Sequence, residues 1–184
     1  GYPDDSILEN LEEPAAAGTS QASILIYGNS YTSGNNLAGL VQTSIQNHDS
    51  QASVTSRTGG GMNLDDHASN AQTAGHQWNT TLANGNWDWV ILQDQSQVPS
   101  FPTTSQYWQD SKAGAIALDG LIEDNGAQTV FLMTWGRRNG DSQNAWRNPD
   151  FLTMQGHLEA GYGMYAENVT SSGRQPVIAP AGLA

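Results

Sequence analysis

Ser23-Ile24-Leu25-Ile26-Tyr27-Gly28-Asn29-Ser30-Tyr31-Thr32-Ser33-Gly34-Asn35-Asn36-Leu37 is the stretch on which the reading of this chain turns. Residues 23–27 form a short apolar run closed by Gly28, as expected of a buried strand in a parallel sheet, and an amphipathic pattern begins at Leu37. Ser30 therefore falls on a strand-to-helix turn. A hydroxyl there projects above the end of a sheet, and its backbone N–H lies near a helix N-terminus that favours developing negative charge. Gly28 lets the turn be tight and lets a ligand approach. Serine before a helix is also an ordinary helix cap, so position alone leaves Ser30 as either a cap or a nucleophile.

Outward from this turn, short apolar runs alternate with longer amphipathic ones. Strands are expected at residues 23–27, 52–56, 87–92, 129–135 and 175–179, the last with Pro176 suited to a sheet edge. Helices are expected at residues 37–47, 64–82, 105–124 and 151–168. This order predicts an α/β fold: a five-stranded parallel sheet with right-handed crossovers, helices on both faces and ligands at the C-terminal ends of the strands. With 184 residues the chain suits one domain, expected over residues 23–184 after a polar leader at residues 1–22.

Composition narrows the function. Eighteen acidic against six basic residues give a net charge of −12, which repels nucleic acid and anionic lipid surfaces. The absence of cysteine rules out disulfides, thiolate metal sites and a thiol nucleophile. No apolar run approaches the ~20 residues a membrane helix needs, so no membrane insertion is expected. The Asn-, Gln-, Ser- and Thr-rich, charge-poor composition suits an exported bacterial protein, secreted or periplasmic. Asp65-Asp66-His67 offers metal-ligand atoms, but neighbours on one turn rarely converge, and neither metal nor cofactor is expected.

The order of motifs resembles that of the SGNH (GDSL-like) hydrolases, in a bacterial branch, over about residues 23–182. Gly28-Asn29-Ser30 resembles the first block, whose serine is the nucleophile; Gly59-Gly60-Gly61 stands where the second block places a glycine N–H in the oxyanion hole, with Gly60 the preferred match. The third block usually reads Gly-x-Asn-Asp. Here Gln93-Asp94-Gln95-Ser96 replaces it, so the resemblance implies Gln95 as the third oxyanion donor, one methylene longer than asparagine. It further implies a three-layer α/β/α sandwich of flavodoxin-like SGNH type and a small-molecule ester or acetylated sugar as substrate. Asn29, Gln93, His67, Trp135 and Arg137 are the residues expected around that substrate.

Serine ester hydrolysis needs a histidine held by a carboxylate. The family carries both in an Asp-x-x-His block after the last strand, and residues 175–184 contain none, which implies a chain that stops short of its base. A sheet so shortened would expose apolar surface and favour self-association. Of the four histidines, His67 opens a helix near the active edge, as a substrate contact or as a capping or packing residue; His48 suits a helix C-terminus, and His76 and His157 fall inside expected helices. Arg137 and Arg138 face either an anionic or hydroxyl-rich substrate or local carboxylates such as Asp141 and Asp150, and Trp135 suits a sugar-stacking wall. Trp87 and Trp89, flanking a strand, are expected to pack. Two functions fit. One is a serine esterase acting on acyl or acetyl esters, O-acetylated carbohydrate among them, favoured by the Gly-Asn-Ser turn. The other is a non-catalytic carbohydrate-binding protein on the same fold, favoured by the Gln-for-Asn change and the absent dyad.

Overall fold

The computed structural model describes residues 21–169 and 175–183. The expected leader, apart from Gln21 and Ala22, lies outside them. Five parallel strands, β1 (Ser23–Gly28), β2 (Ser53–Thr58), β3 (Trp89–Leu92), β4 (Gln128–Leu132) and β5 (Val177–Ala179), form one sheet in the order β2-β1-β3-β4-β5. The helices between them are α1 (Ser30–Ser33), α2 (Leu37–Gln46), α3 (Leu64–Gln72), α4 (Gln77–Asn84), α5 (Gln106–Asn125) and α6 (Phe151–Asn168). The α/β fold with a five-stranded parallel sheet is thus present, in the doubly wound order whose strand sequence reverses between β1 and β3.

Strand alternation sorts the core. Leu25, Tyr27, Val90, Leu92 and Phe131 point to one face, where residues of α3, α4, α5 and α6 bury them completely or nearly so. Ile24, Ile26 and Val130 point to the other face, the side of α2, which packs along β2. Each fully buried aliphatic side chain adds about 1.5–3 kcal/mol, so β1, an inner strand with all of residues 24–27 buried, anchors the domain.

Local chemistry moved several boundaries. The single helix expected at residues 64–82 is two, because Gly75 takes a left-handed φ of +78° between them. His76, expected inside that helix, instead caps α4, its Nδ1 accepting from the Trp78 N–H. β3 starts at Trp89 rather than at residue 87. Trp87 packs partly buried against the core with its Nε1 donating to the Thr81 carbonyl at 3.1 Å, whereas Trp89 stays 39% exposed on the second sheet face. β2 runs to Thr58 and β4 ends at Leu132, which leaves Thr134 and Trp135 in the loop above the sheet. No helix among the described residues is long and apolar enough to cross a membrane.

Candidate active site

The strand register brings three loops to one edge. Gly28 pairs with Thr58 and Tyr27 with Leu92, so Ser30, Gly60 and Gln95 each follow within two or three residues of adjacent strand ends, at the point where the strand order reverses. Asn29 ties the loops together. Its Nδ2 donates to the Met62 carbonyl at 2.9 Å and to the Asp94 carbonyl at 3.1 Å, and its Oδ1 accepts from Gln93 Nε2 at 2.8 Å. The same Oδ1 accepts from the Tyr31 N–H, so Asn29, not Ser30, caps α1.

That division of labour frees Ser30. It is exposed, it is the first residue of α1, and its hydroxyl has no hydrogen-bond partner among the described residues. Gly28 holds the turn close to β3: a Cβ there would collide with Thr32 and press on the Gln93 side chain. Gly60 is exposed and a Cβ on it would meet nothing within 4 Å, and its N–H has no acceptor among the described residues.

The two glutamines of the third block separate cleanly. Gln93 is fully buried; its Oε1 accepts from the Asn29 N–H at 3.0 Å and Thr32 Oγ1 at 2.8 Å, and its Nε2 is spent on Asn29 and the Asp94 carbonyl. Gln93 and Asn29, both expected beside the substrate, therefore build the floor beneath Ser30. Gln95 is half-buried. Its Oε1 accepts from the backbone N–H groups of Gln97 and Val98, which fixes the amide orientation and leaves Nε2 as a free donor at the edge.

His67 lies under the site with no exposed surface. Its ring forms a cluster with Tyr27 and Trp78, centroids 6.0 and 6.2 Å away, its Nδ1 accepts from Trp78 Nε1 at 3.0 Å, and its Nε2 faces the Gln93 carbonyl without a well-formed hydrogen bond. Burial pulls its pKa down to about 4, so it is neutral at physiological pH, and it presents no atom to a ligand. The other histidines are placed elsewhere. His48 sits beside Asp49, whose carboxylate receives the Ala22 N–H at the opposite end of the sheet, and His157 Nδ1 pairs with Asn148 Oδ1 at 2.9 Å.

Above β4, Trp135 stacks on Tyr31 with ring centroids 5.1 Å apart, beside Arg137 and Phe151. Arg137 is committed to the protein: Nη1 meets Asp141 at 2.9 Å, and Nη2 donates to Ser96 Oγ and Gln97 Oε1. Arg138 stays exposed. Among the described residues no group of three or more His, Asp or Glu side chains is placed to hold a metal ion.

Asp94, absent from the sequence-based site, is its hub. The fully buried carboxylate accepts from the N–H groups of Leu64 and Gln95 and the hydroxyls of Ser111 and Tyr165, joining the end of β3 to α3, α5 and α6. Burial pushes its pKa up to about 6 against those four hydrogen bonds. A raised carboxylate pKa gives stability that is complete below the unfolded value near 4 and is lost as pH rises through 6. Between pH 7 and pH 4 the protein is therefore expected to gain about 2 kcal/mol relative to Asp94→Asn in urea titrations. His67 acts in the opposite sense but titrates in both proteins and cancels. A difference that does not vary with pH would contradict the burial assigned to this carboxylate.

No family model and no curated protein matches the sequence. Solved structures do match. A protein from Slackia heliotrinireducens described as an SGNH hydrolase superposes with a TM-score of 0.69 at 22% identity, over 89% of this chain and 80% of that one. The psychrotrophic esterase EstA from Pseudoalteromonas sp. gives 0.56 at 10% identity, over 86% and 76%. An acetyl xylan esterase, AlAXEase, gives 0.56 at 10%, over 85% and 75%. Sheet order, crossovers and these superpositions together show that the chain has the fold of the SGNH hydrolases.

Proposed function

We propose that the chain is a serine ester hydrolase acting on acyl or acetyl esters, with O-acetylated carbohydrate as its substrate class. The observation that carries this reading is the Ser30 hydroxyl, exposed and unpartnered at the sheet edge because Asn29 takes over the capping of α1. In the proposed reaction, Ser30 Oγ attacks the ester carbonyl carbon and the carbonyl oxygen becomes an oxyanion. The N–H groups of Ser30 and Gly60 and the Gln95 Nε2 donate to it. Collapse of the tetrahedral intermediate expels the alcohol, and water releases the acyl group from Ser30 in a second cycle. Among the described residues none of the four histidines hydrogen-bonds Ser30, and the reaction requires a general base that carries the Ser30 proton to the leaving alcohol. The acetyl xylan esterase among the similar folds supports the choice of acetyl esters.

The test is covalent labelling of the full-length protein. Diethyl p-nitrophenyl phosphate is expected to add one diethylphosphoryl group at Ser30, located by peptide mass mapping. Absence of label, or label on another residue, would overturn the proposal in favour of a binding protein without chemistry. Gln95→Ala is expected to lower kcat about 10²-fold with KM little changed, since its amide acts on the oxyanion rather than on the bound ester. An equal rise in KM with kcat intact would assign Gln95 to ground-state binding instead.

A further inference from the structure

Beside Gln95 the edge opens into a groove of about 670 Å³ between the loop after β3 and the segment 141–147 that precedes α6. No charged side chain lines it. Its walls carry the most exposed aromatic rings near the site, Trp146 at 75% and Tyr107 at 64% exposure, and Tyr107 is braced edge-on by Phe101. Leaving a tryptophan face in water forgoes burial of a large apolar area, which points to a ligand with an apolar face to cover it.

The amides of the groove are held in fixed orientations. Gln97 Oε1 accepts from Arg137 Nη2 at 2.8 Å, so its Nε2 is left to donate; Asn144 Nδ2 donates to Asp141 Oδ2 at 2.7 Å, so its Oδ1 is left to accept. Gln95, at the mouth, likewise turns a free donor outward. Both walls are fastened to each other. Arg137 bridges Asp141 to Ser96 and Gln97, and Asn148 Nδ2 donates to Ser100 Oγ at 2.7 Å, so the donors and acceptor are preorganised before any ligand arrives.

We infer that this groove is a subsite for a neutral carbohydrate, in which a pyranose ring lays its C–H face on Trp146 and its hydroxyls pair with the free ends of Gln97 and Asn144. A hydroxyl both donates and accepts, as this mixed set requires. An alkyl chain would strand the oriented amides without partners, and an anionic ligand finds no cation among the lining residues. The inference rests on the esterase reading, in which the sugar occupying the groove is the alcohol portion of the ester whose carbonyl lies at Ser30.

The test measures binding of ligands that carry no ester, by isothermal titration of the protein with xylohexaose, cellohexaose and mannohexaose, and with hexagalacturonate and octanoate as anionic and alkyl probes. At least one neutral hexasaccharide is expected to bind with Kd of about 1 mM or tighter. Trp146→Ala, at an exposed position that does not endanger folding, is expected to weaken it about tenfold or more, and Gln97→Ala several-fold. Failure of all three neutral sugars to bind, binding unchanged in Trp146→Ala, or tighter binding of either control probe overturns the inference. Sugar bound through Trp146 alongside an unreactive Ser30 would sink the esterase reading alone, whereas a labelled Ser30 with no sugar bound would sink the groove alone.

Discussion

Replacing Ser30 with alanine is expected to lower hydrolysis of p-nitrophenyl acetate by at least about 10³-fold, with the residual rate owed to the oxyanion donors and binding. The fold is expected to survive intact. Ser30 is exposed and its side chain holds nothing in place, so the change in unfolding free energy should stay within about 0.5 kcal/mol. This separation of activity from stability distinguishes a nucleophile from a cap. Had Ser30 been the cap of α1, alanine would cost about 1 kcal/mol of stability and leave chemistry untouched. Retention of most of the wild-type rate in Ser30→Ala would place the reaction at another residue.

Gly161→Ala is expected to destabilise the protein by about 3 kcal/mol or more. Helix propensity alone predicts the reverse, since alanine is favoured over glycine by about 1 kcal/mol inside a helix such as α6. The packing decides the sign. A Cβ on Gly161 would fall inside the Pro99 carbonyl, in the short 3₁₀ turn at Val98–Ser100 that lies against α6. The collision is with backbone, so no side chain can swing away. The turn must shift, and it is continuous with Gln95 and Gln97, so activity and sugar binding should fall together with stability. Gly163→Ala supplies the control on the same helix: a Cβ there meets nothing within 4 Å, and a gain of up to about 1 kcal/mol is expected. Equal urea midpoints for the two variants would refute the close approach of α6 to Pro99.

Much of the architecture was legible in residue order because local physics sets it. Short apolar runs closed by glycine or polar residues and too short for helices read as buried strands, and the amphipathic stretches between them read as parallel crossovers, so the five strands and their single sheet are expected without knowledge of any contact. The position of Ser30 on the turn after β1 is equally local. Its freedom is not, because sequence leaves Ser30 as either a cap or a nucleophile, and only the Asn29 amide, held by Met62, Gln93 and Asp94 and accepting from the Tyr31 N–H, decides between them. The same limit applies to Gln93 and Gln95, two residues apart yet one fully buried and the other half-buried, and to His67, whose helix could be read but whose ring packs against Tyr27 and against Trp78 from the next helix. A charged residue two positions after a buried strand was the one available hint of Asp94, and three of its four partners come from three helices spread over residues 64–165. The groove of Trp146, Tyr107 and Gln97 left no periodic signal, since Gln97 and Trp146 stand on loop segments held together by Arg137 and Asn148, and Tyr107 only joins them from the first turn of α5. Sequence by itself determined which segments become strands and helices and where the reactive turn falls, because those depend on neighbours along the chain. Which side chains are enclosed, which amide ends remain free and which rings stay open to a ligand were settled only in the tertiary structure, because they depend on partners that the chain brings together after those elements have packed.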